Sequence, residues 1–301
     1  GTVFDGGGRH ATGGMVMAMT AGNAAMMNVG AVRPLAGDGT FTLTGLSPGE
    51  YTLNVRASFD ENRDGNPLKG LENAGFSLPI ALAGTDVTDL RVTVPEPIVL
   101  QGRVVVESGV LGEKDQVNVN LMSAASFMDG ATAQAGADGR FTLKVVPGVR
   151  RLSAWAPKGF VVKRTTWRGR DVEADDDVEI TTEGGRIDVV VTNRLSVVTG
   201  AVTDGSGKPV TDYQVIIFPE DAELARRAGM RRLRFERGDQ QGRFRAEGLP
   251  PGRYLAAAVA DLDPDEASDP DALEAYRRIA TPVRLTEGQT ETMNLTLAAM
   301  P

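Results

Sequence analysis

The sequence predicts an all-β protein of three tandem antiparallel β-sandwiches, with one or two short helices in the third. Three observations carry that expectation. First, nearly the same phrase occurs three times: DGTFTLTGLSPGEYTLNV at 38–55, DGRFTLKVVPGVRRLSAW at 138–155 and QGRFRAEGLPPGRYLAAAV at 241–259. The period of about one hundred residues is the size of a domain, not of a solenoid repeat. Second, apolar residues in these phrases alternate with polar ones, as in Phe41-Thr42-Leu43-Thr44 and Phe244-Arg245-Ala246-Glu247. A period of two buries one face of a strand and wets the other. Third, turn signals are frequent and helical periodicity is scarce, the pattern of sandwiches.

Each unit opens with a Gly-x-Val strand: Gly1-Thr2-Val3, Gly102-Arg103-Val104 and Gly200-Ala201-Val202. Alignment on these glycines puts Val16 and Ala18 beside Val117 and Val119, and beside Val215 and Ile217, as core-facing positions of a second strand. Asp38-Gly39 and Asp138-Gly139 are tight-turn pairs, since Gly accepts positive φ and Asp bonds the turn backbone. A strand headed by Phe41, Phe141 or Phe244 follows. Pro48-Gly49, Pro147-Gly148 and Pro251-Gly252 then predict type II turns. Tyr51, Leu53 and Val55 start a return strand. The second unit has Arg150 where the others have Tyr51 and Tyr254, which predicts a different closure there. Alternating runs close the units: LRVTV (90–94), RIDVVV (186–191) and TMNLTL (292–297). The expected units are 1–96, 97–195 and 196–301. The connections near 95–99 and 193–198 are too short for free tumbling, so a semi-rigid rod is expected. In the third unit, Asp269 before Pro270, with Arg277 and Arg278 at the far end, predicts a helix; a shorter one is expected over 221–228.

Composition removes several function classes. The chain has 301 residues and a net charge of −8, which disfavours nucleic acid and anionic membranes as partners. It has no cysteine, so disulfides, thiolate metal sites and cysteine nucleophiles are excluded. His10 is the single histidine, which leaves no Ser-His-Asp motif and no histidine-based metal centre. No phosphate-binding or dinucleotide fingerprint is present; the glycines of DGGGR read as a turn. An enzyme is therefore the least expected class. No apolar run approaches a membrane helix. No leader is legible and GTVFD already reads as strand, so the sequence is expected to begin inside a longer protein.

Four groups of residues are candidate sites. Asp60, Asn62 and Asp64 of DENRDG alternate before Gly65, the first half of a calcium loop. The twelfth position is Leu71, so Glu72 would complete the shell; the alternative is a solvated acidic turn. Calcium is the one cofactor the sequence suggests. Met15, Met17 and Met19 match Gln116, Asn118 and Asn120 and should face outward. An exposed thioether stripe costs solubility unless covered, so a contact surface is the reading taken, ahead of a buried-core register and of Cu(I) binding. Trp167 in TTWRGRD is the candidate ligand-stacking residue: exposed, it favours a binding module; buried, a scaffold. Finally, Arg226, Arg227, Arg231, Arg232, Arg234 and Arg237 crowd the third unit, which also carries the acids of 261–271. Without interleaved aromatics these are expected to be solvated loops, paired with each other or a partner, not a nucleic-acid patch.

GAVTDGSGKPVTDYQVIIFPED with DQQGRFRAEGLPPGRYLAAAV, and GRFTLKVVPG with APKGF, resemble the carboxypeptidase regulatory-like domain, a transthyretin-like or Cna-B-type member of the Ig-like sandwiches. NVRASFDENRDGNPLKGLENAGFS also resembles a bacterial family with a D-x-N-x-[DN]-G loop. The resemblance covers nearly the whole chain and rests on turn and core residues, so it specifies fold more than chemistry. It implies an exported bacterial protein: periplasmic, at the cell surface or secreted. The Lys–Asn isopeptide bond of some Cna-B domains is not implied, because lysines are few and apolar residues such as Val55 and Ala257 stand where that family places its acid. The expected function is a non-enzymatic stalk, spacer or assembly subunit, whose partners are other protein chains or upstream domains. The alternative is an extracellular ligand- or carbohydrate-binding module, stabilised by calcium.

Overall fold

A computed structural model describes residues 1–20, 29–59, 75–123, 126–173, 176–227, 229–262 and 270–298. Among them, every strand pairing falls within 2–94, 98–192 or 197–298.

The first sandwich contains β1 (Thr2–Asp5), β2 (Gly13–Thr20), β3 (Val29–Pro34), β4 (Gly49–Ser58), β5 (Phe76–Leu82) and β6 (Arg91–Val94). One sheet runs β3-β2-β4-β5 and faces the pair β1-β6. The alternation read from the sequence sets the faces: Val16, Ala18, Leu53 and Val55 point into a core shared with Val3, Phe41 and Val92.

The second sandwich contains β7 (Ile98–Ser108), β8 (Asn118–Ser123), β9 (Ser126–Gln134), β10 (Arg140–Val145), β11 (Gly148–Trp155), β12 (Val161–Trp167), β13 (Arg170–Val172), β14 (Asp177–Ile180) and β15 (Arg186–Thr192). Its sheets run β10-β7-β15-β12-β13 and β14-β11-β8-β9. Between them lie Leu100, Val117, Val119, Leu121, Phe141, Leu152 and Val189.

The third contains β16 (Val197–Thr203), β17 (Pro209–Val210), β18 (Gln214–Pro219), α1 (Ala222–Arg227), α2 (Gly229–Arg232), β19 (Arg234–Arg237), β20 (Arg243–Glu247), β21 (Gly252–Val259), α3 (Pro270–Arg277), β22 (Thr281–Leu285), β23 (Thr290–Thr292) and β24 (Leu295–Ala298). The Asp221 carboxylate accepts from the Leu224 amide at 2.7 Å, an N-cap that starts α1. Here β18 and β21 are buried on both faces. Val215, Ile217, Ala256 and Ala258 face the inter-sheet core. Ile216, Phe218, Leu255 and Ala257 face a second cluster closed by Leu273 and Tyr276 of α3. The continuous runs VIIF and LAAAV, which do not alternate, are the signature of such two-sided burial.

Three shared details explain the repeated phrase. The opening glycines face the phenylalanines: Gly102 pairs with Phe141 and Gly200 with Phe244, and a Cβ on Gly102 would run into the Phe141 ring. The Asp-Gly turns form as expected; Asp38 Oδ1 accepts from the Thr40 amide at 3.1 Å and Gly39 has φ 76°. The Pro-Gly pairs differ from expectation. Gly49 and Gly148 have φ of 156° and 141°, far from a type II turn, and open the return strands β4 and β11 instead.

First and last strands of each unit lie side by side and parallel: β1 with β6, β7 with β15, and β16 with β24. The first two sandwiches are thus mixed at this one pairing, and the third also pairs β16 with β23 and β21 with β24 in parallel. Parallel neighbours cannot be joined by a hairpin. The chain therefore enters each sandwich at one end and leaves it at the other.

Candidate functional site: the junctions between sandwiches

Asp60, Asn62, Asp64 and Glu72, the calcium candidates, lie outside the described residues. Trp167 corrects the binding expectation: it is 8% exposed and packs in the core of the second sandwich, with Gly185 leaving room for its ring. It terminates β12 facing inward, so it offers no platform for a sugar; the exposed indole is Trp155. The methionine stripe is corrected in part. Val16 and Ala18 are core residues as expected, and Met15 and Met17 occupy the opposite face, but both are half-buried and Met19 is only 3% exposed. The physical reason is that β2 is an interior strand, shielded by β3 and β4 on either side.

The arginines are also corrected. Arg231 and Arg232 are not solvated: they cross to the second sandwich. Arg232 holds Glu173 bidentately, Nε to Oε2 at 3.0 Å and Nη2 to Oε1 at 2.8 Å. Arg231 donates to the carbonyls of Val162 and Lys163 at 2.8 and 2.9 Å, and its Nη1 stands 3.7 Å from Glu173. Lys163 sits between Glu107 of its own sandwich at 2.5 Å and Glu287 of the third at 2.7 Å. The connection Asn193–Ser196 is itself tied down: Ser196 Oγ donates to Thr286 O at 3.0 Å, and the Gly248 amide to Ser196 O at 3.0 Å.

Burial works to raise the Glu173 carboxyl, but the Arg232 hydrogen bonds and the charges of Arg232 and Arg231 outweigh it and hold the group below its ordinary value. Burial lowers Arg231. Hydrogen bonds to Glu107 and Glu287 raise Lys163.

Among the described residues, the first junction is smaller in its polar inventory. Asp129 of β9, 2% exposed, is central to it. Its Oδ1 lies 3.0 Å from Arg150 Nη2, and its Oδ2 accepts from the Ser77 amide at 3.1 Å and the Ser77 hydroxyl at 2.7 Å. Ser77 belongs to β5 of the first sandwich. Burial raises the Asp129 carboxyl, opposed by the Ser77 hydroxyl and the Arg150 charge.

Arg150 stands where the other units carry a tyrosine. Tyr51 donates its hydroxyl to Ser47 O at 2.9 Å and Tyr254 to Pro250 O at 2.8 Å, each four residues upstream. Arg150 makes the same backward bond, Nη2 to Val146 O at 3.1 Å. It keeps the corner and adds a charge.

Sequence reasoning missed Ser77, Asp129 and Glu173, which carry no motif. The one legible signal was Arg150 in a tyrosine position.

No family model matches the chain, and no curated protein matches it. Solved structures with an overall likeness include a streptococcal ancillary pilin, at 13% identity and TM-score 0.29 over 98% of this chain and 97% of that one. BcpA, the major pilin subunit of Bacillus cereus, as a D312A variant, has 10% identity and TM-score 0.25 over 98% and 97%. The Bacillus anthracis TIE protein has 11% identity and TM-score 0.25 over 98% of this chain; the chain spans about half of that protein's length, 49%. At such scores these likenesses carry no argument about function.

Proposed function

We propose that the chain is a non-enzymatic structural and interaction protein: an extracytoplasmic stalk, spacer or assembly subunit with domains 1–96, 97–195 and 196–301. The observation that carries this reading is the parallel pairing of first and last strands in every unit, which puts entry and exit at opposite ends. Units connected in this way stack in series. The short connections and the ion-paired second junction favour a fixed arrangement over free tumbling. The sequence resemblance to exported sandwich domains supports a place at the cell surface, in the periplasm or outside the cell. Its partners are other protein chains.

Small-angle scattering tests the shape. A compact chain of this length has a radius of gyration of about 19 Å. The expected value is well above that, with an elongated pair-distance distribution; a value near the compact one would overturn the spacer reading.

A further inference from the structure

We propose that the first junction is fixed by a buried polar latch: Asp129, gripped by Arg150 from its own sandwich and by Ser77 from the preceding one, sets the orientation of the first sandwich. Arg150 and Asp129 are positioning residues in this device. Freed of the latch, the first sandwich shifts on Pro95–Pro97.

Four observations lead here. The Arg150–Asp129 pair is almost completely buried, at 5% and 3% side-chain exposure. A buried ion pair is sustained only where further hydrogen bonds complete it. Two of Asp129's hydrogen bonds come from the neighbouring sandwich, through the Ser77 amide and hydroxyl. Undocking therefore leaves a buried carboxylate short of donors, and docking supplies them with directional geometry.

The corner substitution points the same way. Tyrosine suffices to close the first and third sandwiches through one backward bond. Arginine makes that bond too, so the corner alone gives no reason for the charge. The reason lies across the junction, in Asp129.

Strand β9 packs against β4 and β5 of the first sandwich, so the latch acts on a seam already in contact. The connection is Pro95-Glu96-Pro97, whose prolines have no N–H to pin them. A cavity of about 500 Å³ opens beside it, lined by Arg9, Phe59, Pro95, Lys144 and Val146 among others. The second junction, by contrast, has Arg231, Arg232 and Lys163 acting together with a bonded connection.

The inference refines the spacer reading, and one experiment separates the two. The chain has no cysteine, so pairs of introduced cysteines carry spin labels at chosen sites. Exposed Asp86 and Thr142 report across the first junction, and Thr142 and Lys208 across the second. Pulsed dipolar distances should show one narrow peak for each pair in the otherwise unaltered chain. Ser77→Ala and Asp129→Asn should each abolish the narrow peak of the first pair and leave the second unchanged. Arg150→Tyr should do the same while the second sandwich stays folded, read from its thermal transition and near-ultraviolet tryptophan signal. Ser77→Ala guards the test, since it leaves the second sandwich's own residues intact. A narrow first peak surviving both Ser77→Ala and Arg150→Tyr would overturn the latch, whatever becomes of the spacer. Broad distributions at both junctions in the unaltered chain would sink both ideas.

Discussion

The two junctions join similar sandwiches by different means. At the second, three cationic side chains, Arg231, Arg232 and Lys163, span the boundary toward Glu173, Glu287 and two backbone carbonyls. These groups are partly buried: Arg231 and Arg232 keep 14% and 12% exposure and Glu173 keeps 40%, so water still reaches each pair. At the first, one carboxylate is almost wholly buried, and among the described residues no second ion pair joins it. The lesson concerns redundancy. Many weak partners tolerate the loss of any one, whereas a single buried charge makes every partner indispensable.

The largest expected effect attacks the buried pair. Arg150→Ala leaves the Asp129 charge in the interior without its counter-ion and should destabilise the second sandwich by about 3–5 kcal/mol in denaturant unfolding. Arg150→Tyr removes the same counter-ion but restores the backward bond seen at Tyr51 and Tyr254, so it should cost about 1 kcal/mol less. Equal losses for the two variants would mean that the charge dominates and the corner bond adds nothing.

A middle-sized effect is expected from Glu173→Ala. Removing the bidentate acceptor should cost about 1–2 kcal/mol after allowance for its exposure. The label distance across the second junction should nevertheless stay narrow, since Arg231 keeps its carbonyls and Lys163 its glutamates. A broad distribution would show that this junction also hangs on one residue. Tyr254→Phe should lower the stability of the third sandwich by about 1–2 kcal/mol, since it removes the bond to Pro250 O and the acceptor of Arg232 Nη1.

The smallest effect is on pH dependence. Glu173 is held below its ordinary value, so its contribution is complete at neutral pH and is lost as pH falls through its depressed value. Burial raises Asp129, but the Ser77 hydrogen bonds made across the junction pull the other way, so docking favours the charged carboxylate. Acid should therefore loosen the first junction as Asp129→Asn does. A first junction that stays fixed in acid although Asp129→Asn opens it would contradict the latch.

Much of this fold was legible because its determinants are local. The Asp-Gly turns and the alternation of Val16 and Ala18 follow from residues close in sequence or from a period of two, whereas Gly102 meets Phe141 only across a strand pairing. The turn type at Gly49 was not legible, since Pro-Gly is compatible with a turn and with a strand start. Trp167 was misread because an aromatic at the end of a strand faces in or out according to register, and one residue reverses it. Arg231 and Arg232 looked like solvated charge because their acceptors lie about sixty residues away on another sandwich. Asp129 and Ser77 are ordinary residues in ordinary strands, and only their meeting makes a site. Arg150 shows what sequence can offer in such a case: a break in a repeat marks the place to look, without saying what will be found.

The parallel pairing of the outermost strands has a mechanical consequence. Tension applied at the two ends of such a sandwich pulls neighbouring strands past one another along their length. The hydrogen bonds between β7 and β15 then share the load simultaneously instead of opening one at a time like a zip. A chain of these units resists stretching through its bodies and would give way first where the bodies meet.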